Sequence, residues 1–312
     1  MRAVAGDRGV GIRAARRITR PPACLAHCPY APHHPSCSPR PERGAMTGIR
    51  EPTAPDRPVS PLLEFDPART AYIEPSATIR PRDVPEACVL TWFRDAAERA
   101  VEAAGGRQVL SVPWEDGPKP LYEIERDGRR VGIAPMPVGG PTAAGVLEEL
   151  IAFGCRAFVA CGGAGVLRQD LALGHLVLVT SALRDEGTSH HYLEPGRVVD
   201  AHAAAVDVLA QTLDDHGMPF VRGRTWTTDA PYRETPDKIA RRQEEGCLTV
   251  EMENASVAAV ARFRDVPLAQ VLYGGDDLSG EEWDHRDWTN HHQVRDELIR
   301  VAVDAAVRLA VR

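Results

Sequence analysis

The chain has few aromatic residues, no long apolar run and no excess of basic residues. Aromatic residues make up only 5% of the sequence, so a core must be built mainly from small aliphatic side chains. No apolar segment approaches the roughly 20 residues that a membrane-spanning helix needs. The net charge of −7 is not the basic balance typical of nucleic-acid-binding proteins. We therefore expect a protein whose partners include neither nucleic acid nor membrane.

The seven cysteines do not form a recognisable disulfide framework. Four of them lie in apolar segments, where cysteine behaves as a small buried hydrophobe: Cys88, Cys155, Cys161 and Cys247. The cysteines and histidines between positions 24 and 37 match no closed zinc-site spacing. This pattern is typical of a reduced compartment. We therefore expect a cytoplasmic protein without a metal site.

The first 45 residues differ in composition from the rest of the chain. They are rich in Arg, Pro, Ala, His and Cys and show no hydrophobic periodicity, which is typical of disorder. We expect residues 1–45 to be a disordered tail or a wrongly assigned start upstream of Met46. Residues 46–86 are rich in proline and are expected to form an extended arm. Residues 87–312 are expected to form a single domain.

Within that domain, strand-like segments alternate with helical ones. Strands are predicted at 87–93, 121–125, 130–134, 157–161, 175–181, 220–226, 247–250 and 268–273. Helices are predicted at about 94–104, 141–153, 201–215, 236–245, 255–263 and 289–311. Such alternation is typical of an α/β fold. We expect a three-layer sandwich around a central mixed, mostly parallel sheet.

Glycines and carboxylates follow several of the predicted strands. Glycines stand near three strand ends: 139–140, 162–165 and 274–275. Glu251 and Glu253 flank Met252 at a strand-to-helix junction. Side chains at the carboxyl ends of strands line the ligand crevice of an α/β sheet. Carboxylates there are costly unless paired, solvated or functional, although a helix N-terminus also favours acids through its dipole alone.

The ordered set of motifs resembles the nucleoside phosphorylase family of the purine and uridine phosphorylase type, which includes the methylthioadenosine nucleosidases. The resemblance covers roughly residues 85–310 and rests on these segments: Gly139-Gly140-Pro141-Thr142, Gly162–Gly165, Arg184–Tyr192, Thr227-Thr228-Asp229, Val250-Glu251-Met252-Glu253 and Gly275-Asp276-Asp277. It implies cleavage of the bond between a nucleoside base and the ribose anomeric carbon. It also implies a homo-oligomer that needs no cofactor.

The resemblance assigns roles at the ribose and base ends of the site. Glu253 would accept the ribose 2′- and 3′-hydroxyls, since a carboxylate accepts two charge-assisted hydrogen bonds. Met252 would pack against the sugar, and Glu251 would contact a hydroxyl or support the residue that does. Asp276 would donate a proton to N7 of a purine. It must be protonated to do so, through burial or a neighbouring carboxylate such as Asp277.

The loop after residue 226 is expected to form the base pocket. Three of its residues are assigned to that pocket: Thr228, Asp229 and Tyr232. Uridine-specific members of the family carry a Gln and an Arg in this loop, whereas this chain has Thr235 and Asp237. Together with Asp276, this difference favours a purine nucleoside.

The phosphate end departs from the family pattern. The Arg and the Ser or Thr that hold phosphate in the family correspond here to Ala160 and Gly163. Backbone N–H groups around Gly162 and Gly163 could still bind the anion, with Arg94 or Arg184 as the cation. Arg184 could instead be a structural partner of a neighbouring acid.

We therefore expect a phosphorylase that uses a purine nucleoside and inorganic phosphate. If the anion site is lost, water replaces phosphate and the enzyme is a nucleosidase. A nucleoside-binding protein without catalysis is a further alternative. A dinucleotide-binding enzyme is disfavoured, because the 162–165 segment leads into another strand and does not open a helix.

Overall fold

The computed structural model of the protein describes residues 60–311. The expected tail over residues 1–45, and the expected arm as far as residue 59, lie outside the described residues. The rest of the arm contains a short 3-10 helix at Pro61–Leu63 and a short helix, α1, at Pro75–Thr78. Arg264 ties this segment to the body of the protein: its guanidinium lies 2.8 Å from Glu74 and 2.7 Å from Glu148.

Ten strands and six further α-helices follow within the described range. The strands are β1 Ala87–Thr91, β2 Arg107–Val112, β3 Lys119–Arg126, β4 Arg129–Pro135, β5 Ala157–Val166, β6 Leu176–Asp185, β7 Val198–Asp200, β8 Phe220–Thr228, β9 Cys247–Glu251 and β10 Leu268–Asp277. The helices are α2 Arg94–Ala103, α3 Gly140–Phe153, α4 Ala203–Asp215, α5 Pro236–Glu244, α6 Asn254–Phe263 and α7 His292–Leu309. Every predicted strand and helix is present, and β2 and β7 are additional. None of the helices over residues 60–311 could cross a bilayer.

The sheet combines a closed circuit of five strands with an open extension. β5, β10, β6, β8 and β9 pair in that order, and β9 pairs back to β5. β1, β4, β3 and β2 extend outward from β5. Five strand pairings in the described chain are parallel and five are antiparallel. The mixed sheet is confirmed. The expectation of a mostly parallel sheet is wrong, because the β2–β3–β4 meander and the antiparallel pairings of β6, β7 and β9 reverse the strand direction.

Helices pack against both sides of the central strands. On β1, Ala87 and Val89 join a hydrophobic cluster with α2, α4 and α7, whereas Cys88 and Leu90 join one with α3 and α6. Residues of β5 alternate between the two clusters in the same way. A strand covered on both faces needs a continuous apolar sequence, which explains the unbroken hydrophobic runs at 87–90 and 157–161. This double burial fixes the strand ends that surround the site.

Candidate active site

A cavity of about 330 Å³ lies at the carboxyl ends of β5, β9 and β10. Its lining comes from distant parts of the chain: Trp92, Val138, Gly162, Gly163, Ala164, Gly165, Pro231, Glu234, Val250, Glu251, Met252, Glu253, Gln270, Leu272, Asp276, Leu278 and Trp288. The structure thus brings together six of the residues expected from the sequence: Gly162, Gly163, Glu251, Met252, Glu253 and Asp276. The crevice predicted from the strand ends corresponds to this cavity.

Glu251 is held inside the junction between β9 and α6. Its Oε1 accepts a hydrogen bond from the Thr227 hydroxyl at 2.6 Å. Its Oε2 accepts from the backbone N–H groups of Glu253 at 2.8 Å and Asn254 at 2.6 Å. N–H groups in the first turn of a helix lack intrahelical partners, so Glu251 stabilises the start of α6. Burial raises the pKa of Glu251 to about 7. Because both oxygens already have donors, the geometry favours the supporting role over a hydroxyl contact.

Glu253 lies next to this junction and lines the cavity. Its Oε1 accepts a hydrogen bond from the backbone N–H of Gly139 at 2.6 Å. Gly139 has a φ of 97°, a region that glycine adopts without steric cost, so the predicted glycine pair orients this carboxylate. Burial, followed by the nearby charge of Glu251, raises the pKa of Glu253 to about 8. Hydroxyl donors entering the cavity would favour its ionised form.

The departures from the family pattern on β5 have a packing explanation. A Cβ at Gly163 would lie 3.1 Å from the ring of Tyr273. A serine or threonine at this position would therefore require the ring to move. Ala160 is completely buried and belongs to the hydrophobic cluster with α3 and α6. Neither position has room for a phosphate-binding side chain without repacking of its neighbours.

Neither expected arginine lines the cavity in the part of the chain that the structure describes. Arg94 is exposed at the first residue of α2. Arg184 is buried, and it donates hydrogen bonds at 2.8 Å to the Ser189 hydroxyl and at 2.8 Å to the Glu194 carbonyl. Its guanidinium therefore braces the loop over 189–194. These contacts do not support Arg184 as a phosphate ligand, and they also replace the ion pair with a neighbouring acid that the sequence suggested.

The end of the cavity that the sequence analysis assigns to the base, called the base end below, contains two carboxyl groups. The Oδ2 atom of Asp276 accepts a hydrogen bond from the Trp283 indole N–H at 2.7 Å. Asp277, which the sequence suggested as the neighbouring carboxylate, is instead ion-paired with Arg286. The second carboxyl group is that of Glu234, which lines the same cavity as Asp276. Burial, followed by the charge of Asp276, raises the pKa of Glu234 to about 7.

The residues assigned to the base pocket lie around the cavity without lining it. Thr228 is buried, Asp229 accepts a hydrogen bond from the Gly187 N–H at 2.8 Å, and the Tyr232 side chain points into solvent. Glu234 of the same loop lines the cavity in their place. Glu234 is not among the site residues predicted from the sequence. The available signal was an acidic side chain in the loop already assigned to the base pocket.

Two further lining residues were also not anticipated from the sequence. The indole N–H of Trp92 donates to the Pro137 carbonyl at 2.9 Å, which holds the ring at the edge of the cavity. The Gln270 side-chain oxygen accepts a hydrogen bond from the Asn254 amide. Both side chains are thus fixed by partners outside the cavity. They shape its walls without adding charge.

The charged residues that line the cavity are all acidic: Glu234, Glu251, Glu253 and Asp276. Within residues 60–311, no Arg, Lys or His side chain lines it. A carboxylate at one end can accept hydrogen bonds from a diol, and a protonated carboxyl group at the other can donate to a leaving group. The arrangement suits acid-assisted cleavage of a bond to a sugar.

Comparison with known proteins identifies the family of the chain. Residues 97–308 match the phosphorylase superfamily, and the chain belongs to that superfamily. The guanosine phosphorylase of Halorubrum lacusprofundi is 26% identical over 189 residues, which cover 61% of this chain and 77% of the relative. The DeoD-type purine nucleoside phosphorylase of Exiguobacterium sp. is 27% identical over 187 residues, covering 58% and 77%. The Bacillus cereus enzyme of the same name is 27% identical over 186 residues, with the same coverage. The family resemblance seen in the sequence is confirmed.

Proposed function

We propose that the protein is a nucleoside phosphorylase that cleaves the N-glycosidic bond of a purine nucleoside. Inorganic phosphate is the second substrate, and free base and ribose 1-phosphate are the products. The observation that carries the proposal is the convergence of Met252, Glu253 and Asp276 on one cavity. The names of the relatives support the purine and phosphate parts of the proposal. A three-layer sandwich, a homo-oligomer and a cytoplasmic location remain predictions.

In the proposed reaction, one end of the cavity binds the ribose and the other donates a proton to the base. Glu253 accepts hydrogen bonds from the ribose hydroxyls while Met252 packs against the sugar. As the bond to the base breaks, positive charge develops on the sugar and negative charge on the base. Proton donation from Asp276 to N7 makes the base a better leaving group. Interactions that strengthen as these charges develop are the ones that accelerate the reaction.

Phosphate is proposed to lie beside Gly162 and Gly163, which line the cavity without side chains. A close backbone approach is possible at Gly162, because a Cβ there would lie among the lining residues Trp92, Leu272 and Gln270 and glycine has none. The cavity would then present an open face to an anion at its β5 side and the ribose-binding carboxylate at its β9 side.

Hydrolysis is the second candidate, and one observation favours it. The described residues supply only acidic charges to the cavity lining. A phosphate dianion next to carboxylates is repelled, whereas a water molecule carries no net charge. If no cation reaches the site, the same residues would catalyse transfer of the ribosyl group to water.

The test is base release from a panel of purine and pyrimidine nucleosides, with and without inorganic phosphate. Phosphorolysis predicts base release that requires phosphate, with accumulation of ribose 1-phosphate. Release without phosphate, giving free ribose, would assign the protein as a nucleosidase. The variant Asp276→Asn should lose turnover but keep nucleoside affinity. A protein that binds nucleosides and releases no base from any of them would overturn both enzymatic proposals.

A further inference from the structure

Glu234 and Asp276 form a pair of carboxyl groups at the base end of the cavity. Glu234 comes from the loop between β8 and α5, and Asp276 from the end of β10. Both side chains line the same cavity, and Glu234 is only partly exposed. Two carboxyl groups in one partly desolvated site cannot both ionise without cost, so such pairs tend to retain one proton.

The neighbours of the pair indicate where that proton lies. The Trp283 N–H donates to Asp276 Oδ2 at 2.7 Å, and a hydrogen bond to a carboxylate is stronger than one to a neutral carboxyl group, so this contact favours the charged form of Asp276. The cation that acts on Glu234 is Lys238 of α5. Its Nζ lies 2.9 Å from Asp185 Oδ2, so much of its charge is already balanced. These contacts favour Glu234 as the member that keeps the proton.

We propose that Glu234 and Asp276 share one proton and act together as the acid towards the departing purine, with Glu234 holding the proton between turnovers. This inference rests on the proposed function and extends it to a residue outside the motifs that the sequence brought forward. Burial and the Asp276 charge raise the pKa of Glu234 to about 7, close to the value that suits a general acid at neutral pH.

Every proton in the proposed step comes from the carboxyl pair, from hydrogen phosphate or from solvent. As the C1′–N9 bond breaks, its electron pair moves into the purine, and the pair of carboxyl groups gives its proton to N7. Hydrogen phosphate forms the C1′–O bond and loses one proton to solvent. After the base leaves, solvent returns one proton to the Glu234–Asp276 pair.

The experiment compares guanosine with 7-methylguanosine, whose base already carries positive charge and needs no proton at N7. The full-length protein and the variants Glu234→Gln, Glu234→Asp and Asp237→Asn are assayed at saturating phosphate. Asp237→Asn is the matched control, because this exposed carboxylate lies three positions away and does not line the cavity. Thermal unfolding confirms that each variant is folded. Glu234→Asp keeps the carboxyl group if Glu234→Gln fails to fold.

Glu234→Gln should lower kcat/KM for guanosine by about 10- to 100-fold, since general acids contribute on the order of 10² or more. On 7-methylguanosine the same variant should stay within about threefold of the wild type, because the acid has no role there. With guanosine, the wild-type rate should fall as pH rises above about 7, and Glu234→Gln should lack that fall. Glu234→Asp should recover part of the loss and of the pH dependence.

Equal losses on the two substrates would overturn the inference, since Glu234 would then only shape the cavity. Rates equal to those of Asp237→Asn on guanosine would overturn it as well. Either result leaves the proposed function intact, because the wild type still cleaves nucleosides. A wild-type protein that cleaves neither nucleoside overturns the proposed function, and this inference with it.

Discussion

The two ends of the cavity use carboxyl groups in different ways. At the proposed ribose end, Glu251 and Glu253 come from one strand-to-helix junction, and backbone N–H groups hold both of them. At the base end, Glu234 and Asp276 come from separate segments, and Asp276 is held by Trp283, a residue that is 62% exposed. Backbone donors on packed elements keep their positions, whereas exposed side chains rearrange easily. We therefore expect a preformed ribose end and a base end that adjusts to its ligand.

The largest expected effect is on turnover at the ribose end. Glu253→Gln replaces an acceptor of two hydrogen bonds with an amide that accepts at only one atom. A charge-assisted hydrogen bond contributes roughly 1.5–3 kcal/mol, so the loss of one should lower kcat/KM by about 10- to 10²-fold. Steady-state kinetics on a purine ribonucleoside measures the loss.

Two comparisons test whether the loss of kcat/KM in Glu253→Gln arises from lost hydrogen bonds to the ribose hydroxyls. Glu244→Gln makes the same chemical change at an exposed position of α5 and should leave kcat/KM unchanged. A 2′-deoxynucleoside lacks one of the two donors, so the penalty of Glu253→Gln should be smaller with it. An equal penalty on both substrates would contradict the assignment of Glu253 to the ribose hydroxyls.

The next effect is on the free energy of unfolding, which should differ between variants of Glu251 and Glu253. Glu251→Ala removes the acceptor for the Thr227 hydroxyl and for two backbone N–H groups. Unpaired buried donors cost about 1–3 kcal/mol each, and solvent entering the cavity reduces the sum. The free energy of unfolding should fall by about 2–4 kcal/mol. Urea denaturation measures it.

Glu253→Ala is the matched comparison, because it leaves only the Gly139 N–H without its side-chain acceptor. Its unfolding free energy should fall by about 1 kcal/mol, while its activity falls further than that of Glu251→Ala. If Glu253→Ala proves the less stable of the two, the division between a supporting and a substrate-binding glutamate is wrong.

The same pair predicts a pH dependence of stability. The pKa values of Glu251 and Glu253 are raised from 4.5 to about 7 and about 8. Between pH 4.5 and 8 the folded protein therefore binds more protons than the unfolded chain, and stability falls as pH rises through this window. From pH 5 to 8, ionisation of these two groups should lower the free energy of unfolding by several kcal/mol, since each contributes up to about 1.4 kcal/mol per pH unit.

Urea denaturation of the wild type and Glu253→Gln at several pH values isolates this contribution from that of other titrating groups. The wild type should lose more stability than the variant between pH 5 and 8, because the variant cannot ionise at position 253. Parallel stability curves would show that Glu253 is not protonated in the folded state.

The contrast between the two ends also explains what the sequence could predict. The β9–α6 junction and the Gly139–Gly140 pair have local signals, namely an apolar strand, a small-residue helix and adjacent glycines. That the junction and the glycine pair lie near each other could be predicted because the carboxyl ends of strands surround one crevice. The roles of Glu234 and Trp283 depend on how two loops fold back over the cavity, and no local pattern encodes that.

Arg184 illustrates the same limit at the phosphate end. Its place in a family motif suggested an anion ligand, but its guanidinium donates hydrogen bonds to the loop over 189–194. The antiparallel return of β9 to β5, which closes the strand circuit, was likewise missed. Pairing between distant segments is decided by tertiary packing, so the hydrophobic period alone could not reveal it.

The smallest expected effect tests the adjustable end directly. Trp283→Phe removes the indole N–H that donates to Asp276 and keeps most of the ring. In the proposed reaction this donor stabilises the Asp276 carboxylate once the Glu234–Asp276 pair has given up its shared proton. One partly exposed hydrogen bond contributes about 1 kcal/mol, so kcat should fall by about fivefold with little change in KM.

Trp114→Phe is the control, because its indole donates to Glu149 at 2.9 Å away from the cavity, and it should leave kcat unchanged. Equal kcat values for the two variants would mean that Trp283 plays no part in the reaction, and the base end would then rely on Glu234 and Asp276 alone.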